Sequence, residues 1–102
     1  MGLFSFLGNG AIKRALRQGA MVIDVRSASE YDRGRVPGSL NIPVDRIAVS
    51  VPRIKNLGKP VICVCASGHR SRIAANTLKQ AGLKDVHDGG SWERVMRLID
   101  TL

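Results

Sequence analysis

Two short, unbroken apolar runs constrain the fold of this chain more than any other feature. They fall at residues 21–25 and 60–64. The second, Pro60-Val61-Ile62-Cys63-Val64, is mostly β-branched. Runs this short and continuous read as strands buried on both faces. The segments around them have helical spacing instead. Residues 9–18 carry Ile12, Ala15 and Leu16 on one side, closed by Gly19. Residues 71–81 carry Ile73, Ala74, Thr77, Leu78 and Ala81 on one face, with Gly82 as the stop. Residues 91–102 place Trp92, Val95, Met96 and Ile99 at i, i+3, i+4 and i+7. Strands separated by helices imply an α/β fold: a parallel sheet with helices on both faces.

The remaining segments fit that alternation. Ser27 can cap a short helix through Arg33, and Val36-Pro37-Gly38-Ser39 is a turn signal. Residues 40–42 and 84–87 are further strand candidates. Residues 44–57 read as helical in pieces, with Pro52 as the interruption. At 102 residues the chain suits one compact domain. Residues 1–10 form an apolar N-terminal arm bearing Leu3, Phe4, Phe6 and Leu7, and residues 11–102 form the domain. The arm lacks a secretory signal's cationic start and cleavage site, and Phe6 stands where a myristoylation pattern needs Ser or Thr. It is expected to pack on the core or on a partner, with a weak membrane-surface contact as the alternative. No segment approaches the ~20 apolar residues of a membrane span. A cytoplasmic location with reduced thiols is expected, since two cysteines cannot form a disulfide scaffold.

In parallel sheets ligands bind at the carboxyl ends of the strands. After the second apolar run comes Cys65-Ala66-Ser67-Gly68-His69-Arg70-Ser71, and then a helix. Backbone N–H groups of such a tight loop can converge on one point and form an anion nest. The helix N-terminus adds its positive dipole end. Gly68 permits backbone angles that a side chain would prevent. Arg70, with His69 as a second candidate, adds positive charge. A thiol placed there ionises easily. The loop therefore offers a nucleophile, Cys65, and an anion site formed by Ala66, Ser67, Gly68, His69, Arg70 and Ser71.

The other chemically suggestive residues have plainer readings. Asp24 and Arg26, just where the first strand ends, are read as supporting residues that pair with neighbouring loops and brace the catalytic one. The competing reading puts Arg26 at the site mouth, attracting donors. Cys63, two before Cys65, is a buried strand residue, because one intervening residue is too few for ordinary zinc ligation. His87 closes a strand, and no metal site is expected. The net charge of +8 favours anionic partners in general. Specific nucleic-acid recognition is not expected, since a groove-reading element and interleaved aromatics are both missing.

The loop resembles the Cys-x-x-Gly-x-Arg-Ser motif of the rhodanese family. Upstream, Val22-Ile23-Asp24-Val25-Arg26 resembles the family's Asp-Val-Arg strand end. Glu30-Tyr31, Gly34 and Val36-Pro37-Gly38-Ser39-Leu40-Asn41-Ile42-Pro43 resemble its second signature, with Arg35 where His is usual. Gly89-Gly90-Ser91-Trp92 is similar to its late Gly-Gly and aromatic segment. The resemblance implies a single rhodanese-like domain that needs no cofactor. It also implies a sulfurtransferase in which Cys65 takes the outer sulfur of a small anionic donor such as thiosulfate. Cyanide or a thiol then accepts it, and a protein donor or acceptor is a further partner. Ala66 stands where some thiosulfate-using members carry a cation. Two alternatives stay open. One is a non-enzymatic persulfide carrier. The other is a cysteine phosphatase or arsenate reductase, whose loop carries one more residue between Cys and Arg than the four here.

Overall fold

The structure, a computed structural model, describes residues 2–102, with side chains from Asn9 onward. The four strands are β1 (Met21–Asp24), β2 (Leu40–Asn41), β3 (Val61–Cys65) and β4 (Val86–Ser91). All pair in parallel in the order β2-β1-β3-β4. The helices are α1 (Gly2–Arg17), α2 (Ala28–Arg33), α3 (Val51–Asn56), α4 (His69–Gln80) and α5 (Trp92–Ile99). The expected doubly covered parallel sheet is therefore what the chain forms.

Two apolar layers explain why both faces are covered. On one face Ile23, Cys63, Cys65 and Val61 pack with Ile54 of α3 and with Ala74, Ala75 and Leu78 of α4. On the other, Val22, Ile62 and Val64 pack with Ile12 and Ala15 of α1 and with Val95 and Leu98 of α5. Strand alternation divides the run Val61–Cys65 between the two layers, and all five residues are buried.

Several local readings shift in the folded chain. Pro52 does not interrupt a helix. It sits in the first turn of α3, where its missing N–H has no partner to lose, after two 3-10 turns at Val44–Arg46 and Ala48–Ser50. α4 starts at His69, two residues before the expected Ser71, because Gly68 at φ +102° turns the chain directly into the helix. β4 runs on through Gly89 and Gly90 to Ser91, well past the expected end at His87. A Cβ on Gly89 would lie 2.7 Å from Ile62 Cγ2 and 3.0 Å from both Val64 Cγ1 and Val95 Cγ2, so the bare backbone is what lets α5 close on the sheet. α1 is continuous from Gly2, across the expected arm boundary at residue 10. The packing expected of Leu3, Phe4, Phe6 and Leu7 concerns side chains outside the described residues. Among the described residues no helix is long and apolar enough to cross a membrane.

Candidate active site

Cys65 is the last residue of β3, at the carboxyl edge of the sheet. Its side chain faces the α3/α4 layer, and the residue is 1% exposed. The chain then doubles back over the sulfur. Gly68 N–H donates to Cys65 Sγ at 3.0 Å, and Ser71 N–H donates at 3.3 Å. In the first turn of α4, Ser71 N–H is taken by the sulfur and Arg72 N–H by Gly68 O, which leaves the His69 and Arg70 N–H groups for an anion. Ala66, Ser67 and His69 lie exposed around the loop, and Ser71 is fully buried beneath it.

This geometry separates the two thiols. Burial opposes ionisation of Cys65, but hydrogen bonding from Ser71, Gly68 and Ser67 outweighs it, and the thiol falls below its ordinary value. Cys63 has no such donors. Burial, helped by the negative charge of Asp88, pushes it up to about 12. At neutral pH the loop sulfur is the easier one to ionise, and its strand neighbour remains a thiol.

Arg70 does not aim a free charge at the sulfur. It is the second residue of α4, and its guanidinium grips Glu30 with Nη1 to Oε1 at 2.8 Å and Nη2 to Oε2 at 3.0 Å. The Arg70 guanidinium, with Ser27, holds the Glu30 carboxyl at about 2, and Glu30 in turn holds Arg70 above its ordinary value. Glu30 also accepts from Ser27 N–H and Ser27 Oγ, while Ser27 Oγ accepts from Glu30 N–H, completing a capping box at the start of α2. One carboxylate thus ties the post-β1 helix to the cysteine loop. Ser27 was expected to cap this helix; the part played by Glu30, in the box and with Arg70, emerges only in the fold.

Asp24 and Arg26 pair with each other at the end of β1. Arg26 Nε and Nη2 donate to the Asp24 carboxylate at 2.7–3.1 Å, with side-chain exposures of 6% and 0%. The same guanidinium donates to Glu30 O and Gly34 O and lies 4.9 Å from the centre of the Trp92 ring. Asn41 Nδ2 bridges Asp24 O and Arg26 O. Arg26 is thus spent inside the domain, not displayed at the mouth.

Asp88 also passed unnoticed in the sequence. Its Oδ1 accepts from Ser71 Oγ at 2.7 Å and from Gly90 N–H at 3.0 Å. His87 points elsewhere, with Nε2 2.7 Å from Asp85 Oδ1. Among the described residues no group of three His, Cys, Asp or Glu is placed to hold a metal.

A model of the rhodanese-like domain matches residues 9–94. The chain belongs to the rhodanese-like family. Thiosulfate sulfurtransferase GlpE of Pseudomonas savastanoi pv. phaseolicola is 38% identical over 80 residues, covering 76% of this chain and 74% of that protein. A putative sulfur carrier protein of Bacillus subtilis, YrkF, is 34% identical over 65 residues, covering 64% of this chain. This rhodanese-like chain matches only 35% of YrkF's length. Among solved structures, a rhodanese with anions from E. coli superposes with a TM-score of 0.67 at 25% identity, covering 74% of this chain and 89% of that one.

Proposed function

We propose that this rhodanese-like protein is a sulfurtransferase that carries sulfane sulfur on Cys65. The observation that carries the reading is the pair of N–H donors converging on one sulfur at the carboxyl edge of a parallel sheet. In the first half-reaction the Cys65 thiolate attacks the outer sulfur of thiosulfate. The S–S bond of the donor breaks, its electron pair leaves with sulfite, and a persulfide anion remains on Cys65. In the second, a nucleophilic acceptor such as cyanide or a thiolate attacks the outer persulfide sulfur, and Cys65 departs as thiolate. The loop donors hold negative charge on sulfur in both states, which is how an oxyanion-type cradle lowers a barrier. The thiosulfate sulfurtransferase GlpE among its relatives supports thiosulfate as donor. Turnover of this kind needs a free thiolate, and a reducing compartment such as the cytoplasm suits it.

A second reading, a persulfide carrier loaded by another protein, draws its support from the putative sulfur carrier among the relatives. The phosphatase reading is disfavoured by the loop. Four residues between Cys65 and Arg70 make a cradle in which two N–H groups already sit on the sulfur.

Mass spectrometry after thiosulfate treatment tests the proposal. One added sulfur is expected on the peptide containing both cysteines. Cys63→Ser keeps the adduct and Cys65→Ser abolishes it. An adduct that survives Cys65→Ser overturns the assignment. Adduct formation from protein persulfides but not from thiosulfate selects the carrier reading.

A further inference from the structure

We propose that Asp88 is a positioning residue for Cys65, fixing the first turn of α4 through the Ser71 hydroxyl so that the Ser71 N–H stays on the sulfur. The inference rests on the reading of Cys65 as the reactive thiolate. It begins with an irregularity in β4. Cys63 pairs with Asp88 and Val64 pairs with Gly90, so Gly89 is an extra residue, a bulge. Bulges beside functional sites commonly re-aim a side chain. Here the Asp88 carboxylate reaches across to α4.

The Ser71 hydroxyl has one proton and two acceptors in reach, Asp88 Oδ1 at 2.7 Å and Gly68 O at 3.0 Å. The charged, nearer acceptor takes it. The proton is then committed to Asp88, and Ser71 meets the sulfur through its backbone N–H at 3.3 Å, the longer of the two loop contacts. That contact depends on Ser71 being held in place, and Asp88 supplies the hold. The carboxylate is itself anchored by Gly90 N–H at 3.0 Å.

The sign of the effect identifies its route. Of the other charges around the loop, Arg70 pairs with Glu30 and Arg26 with Asp24, Arg94 of α5 donates to Gly89 O, and His69 and Arg72 stand exposed in the first turn of α4. A nearby carboxylate opposes thiolate formation through charge. Asp88 can favour the thiolate only through geometry.

Iodoacetamide alkylation of Cys65 against pH, in a Cys63→Ser background, reads this out. Asp88→Ala is expected to raise the alkylation midpoint by about half a unit to one unit, the scale of one weakened hydrogen bond. Asp88→Asn keeps the acceptor without the charge and leaves the midpoint at or below that of the parent. Ser71→Ala matches Asp88→Ala, and the double variant shifts no further than the larger single one. Asp88→Ser, which withdraws the acceptor with a smaller cavity, gives the same sign if Asp88→Ala fails to fold. A midpoint that falls or stays unchanged in the Asp88→Ala or Asp88→Ser variant overturns the proposal. So does a shift in Ser71→Ala alone, which would mean that the hydroxyl acts on the sulfur directly. Alkylation needs no sulfur donor, so a protein that fails to form the thiosulfate adduct still gives a clear answer here.

Discussion

Replacing Arg26 by Met is expected to be among the most damaging single changes in this domain. The substitution keeps most of the aliphatic bulk and removes the guanidinium. Asp24, with no exposed side-chain surface, then loses its three contacts from Arg26 Nε and Nη2 and keeps the N–H of residue 26 at 3.0 Å. Glu30 O and Gly34 O each lose a donor, and the Trp92 ring loses its cation. Leaving a buried charge without its partner costs about 3–5 kcal/mol. A chain of this size has a total stability of about 5–15 kcal/mol. Each kcal/mol lost lowers the melting temperature of such a domain by roughly 4–8 °C, so a drop of at least about 12 °C is expected. Thermal and urea unfolding followed by circular dichroism measure it. The double variant Asp24→Asn/Arg26→Met, which also removes the stranded charge, should be more stable than Arg26→Met alone. A loss below about 1 kcal/mol, the value of a solvent-screened pair, would refute the reasoning.

Gly89→Ala should cost about 1–3 kcal/mol through overpacking against Ile62, Val64 and Val95, seen as a lower urea midpoint; a neutral result would mean that α5 can shift freely. Glu30→Gln probes pH dependence. The folded-state value of Glu30 is depressed from 4.5 to about 2, so its stabilising contribution is complete above 4.5 and disappears as pH falls through about 2. The stability gap between parent and Glu30→Gln should therefore close across that window, and a gap that widens on acidification would contradict the pairing with Arg70.

The strands β1 and β3 were legible because an apolar run that short has few other places to go. The Ser27 cap and the loop after Cys65 were legible for a similar reason, since their chemistry lies within a few neighbouring residues. β4 was legible only as far as His87. Asp88-Gly89-Gly90 has the composition of a turn, and only the closeness of Ile62, Val64 and Val95 makes glycine a strand residue there. The start of α4 was misplaced because its cap is a backbone angle at Gly68, not a side-chain oxygen. The ion pair of Arg70 went unseen for a different reason. Its partner Glu30 lies 40 residues away, and a pairing across that distance leaves no local trace. Asp88 was hidden in the same way, since its contact with Ser71 spans 17 residues and depends on the bulge.

The edges of the sheet bear on how this chain behaves in crowded surroundings. An open parallel sheet ends in two unpaired strands, and long flat ones recruit neighbouring molecules. Here one edge, β2, is only Leu40–Asn41, and Pro43, with no N–H to give, follows shortly after. The other, β4, is broken by its bulge, and Gly89 O is already taken by Arg94 Nη1 at 2.6 Å. A second copy finds no continuous ladder to extend on either side, and the +8 charge repels it at longer range. The irregularity that turns Asp88 toward α4 thus also guards against strand addition and fibrous self-association.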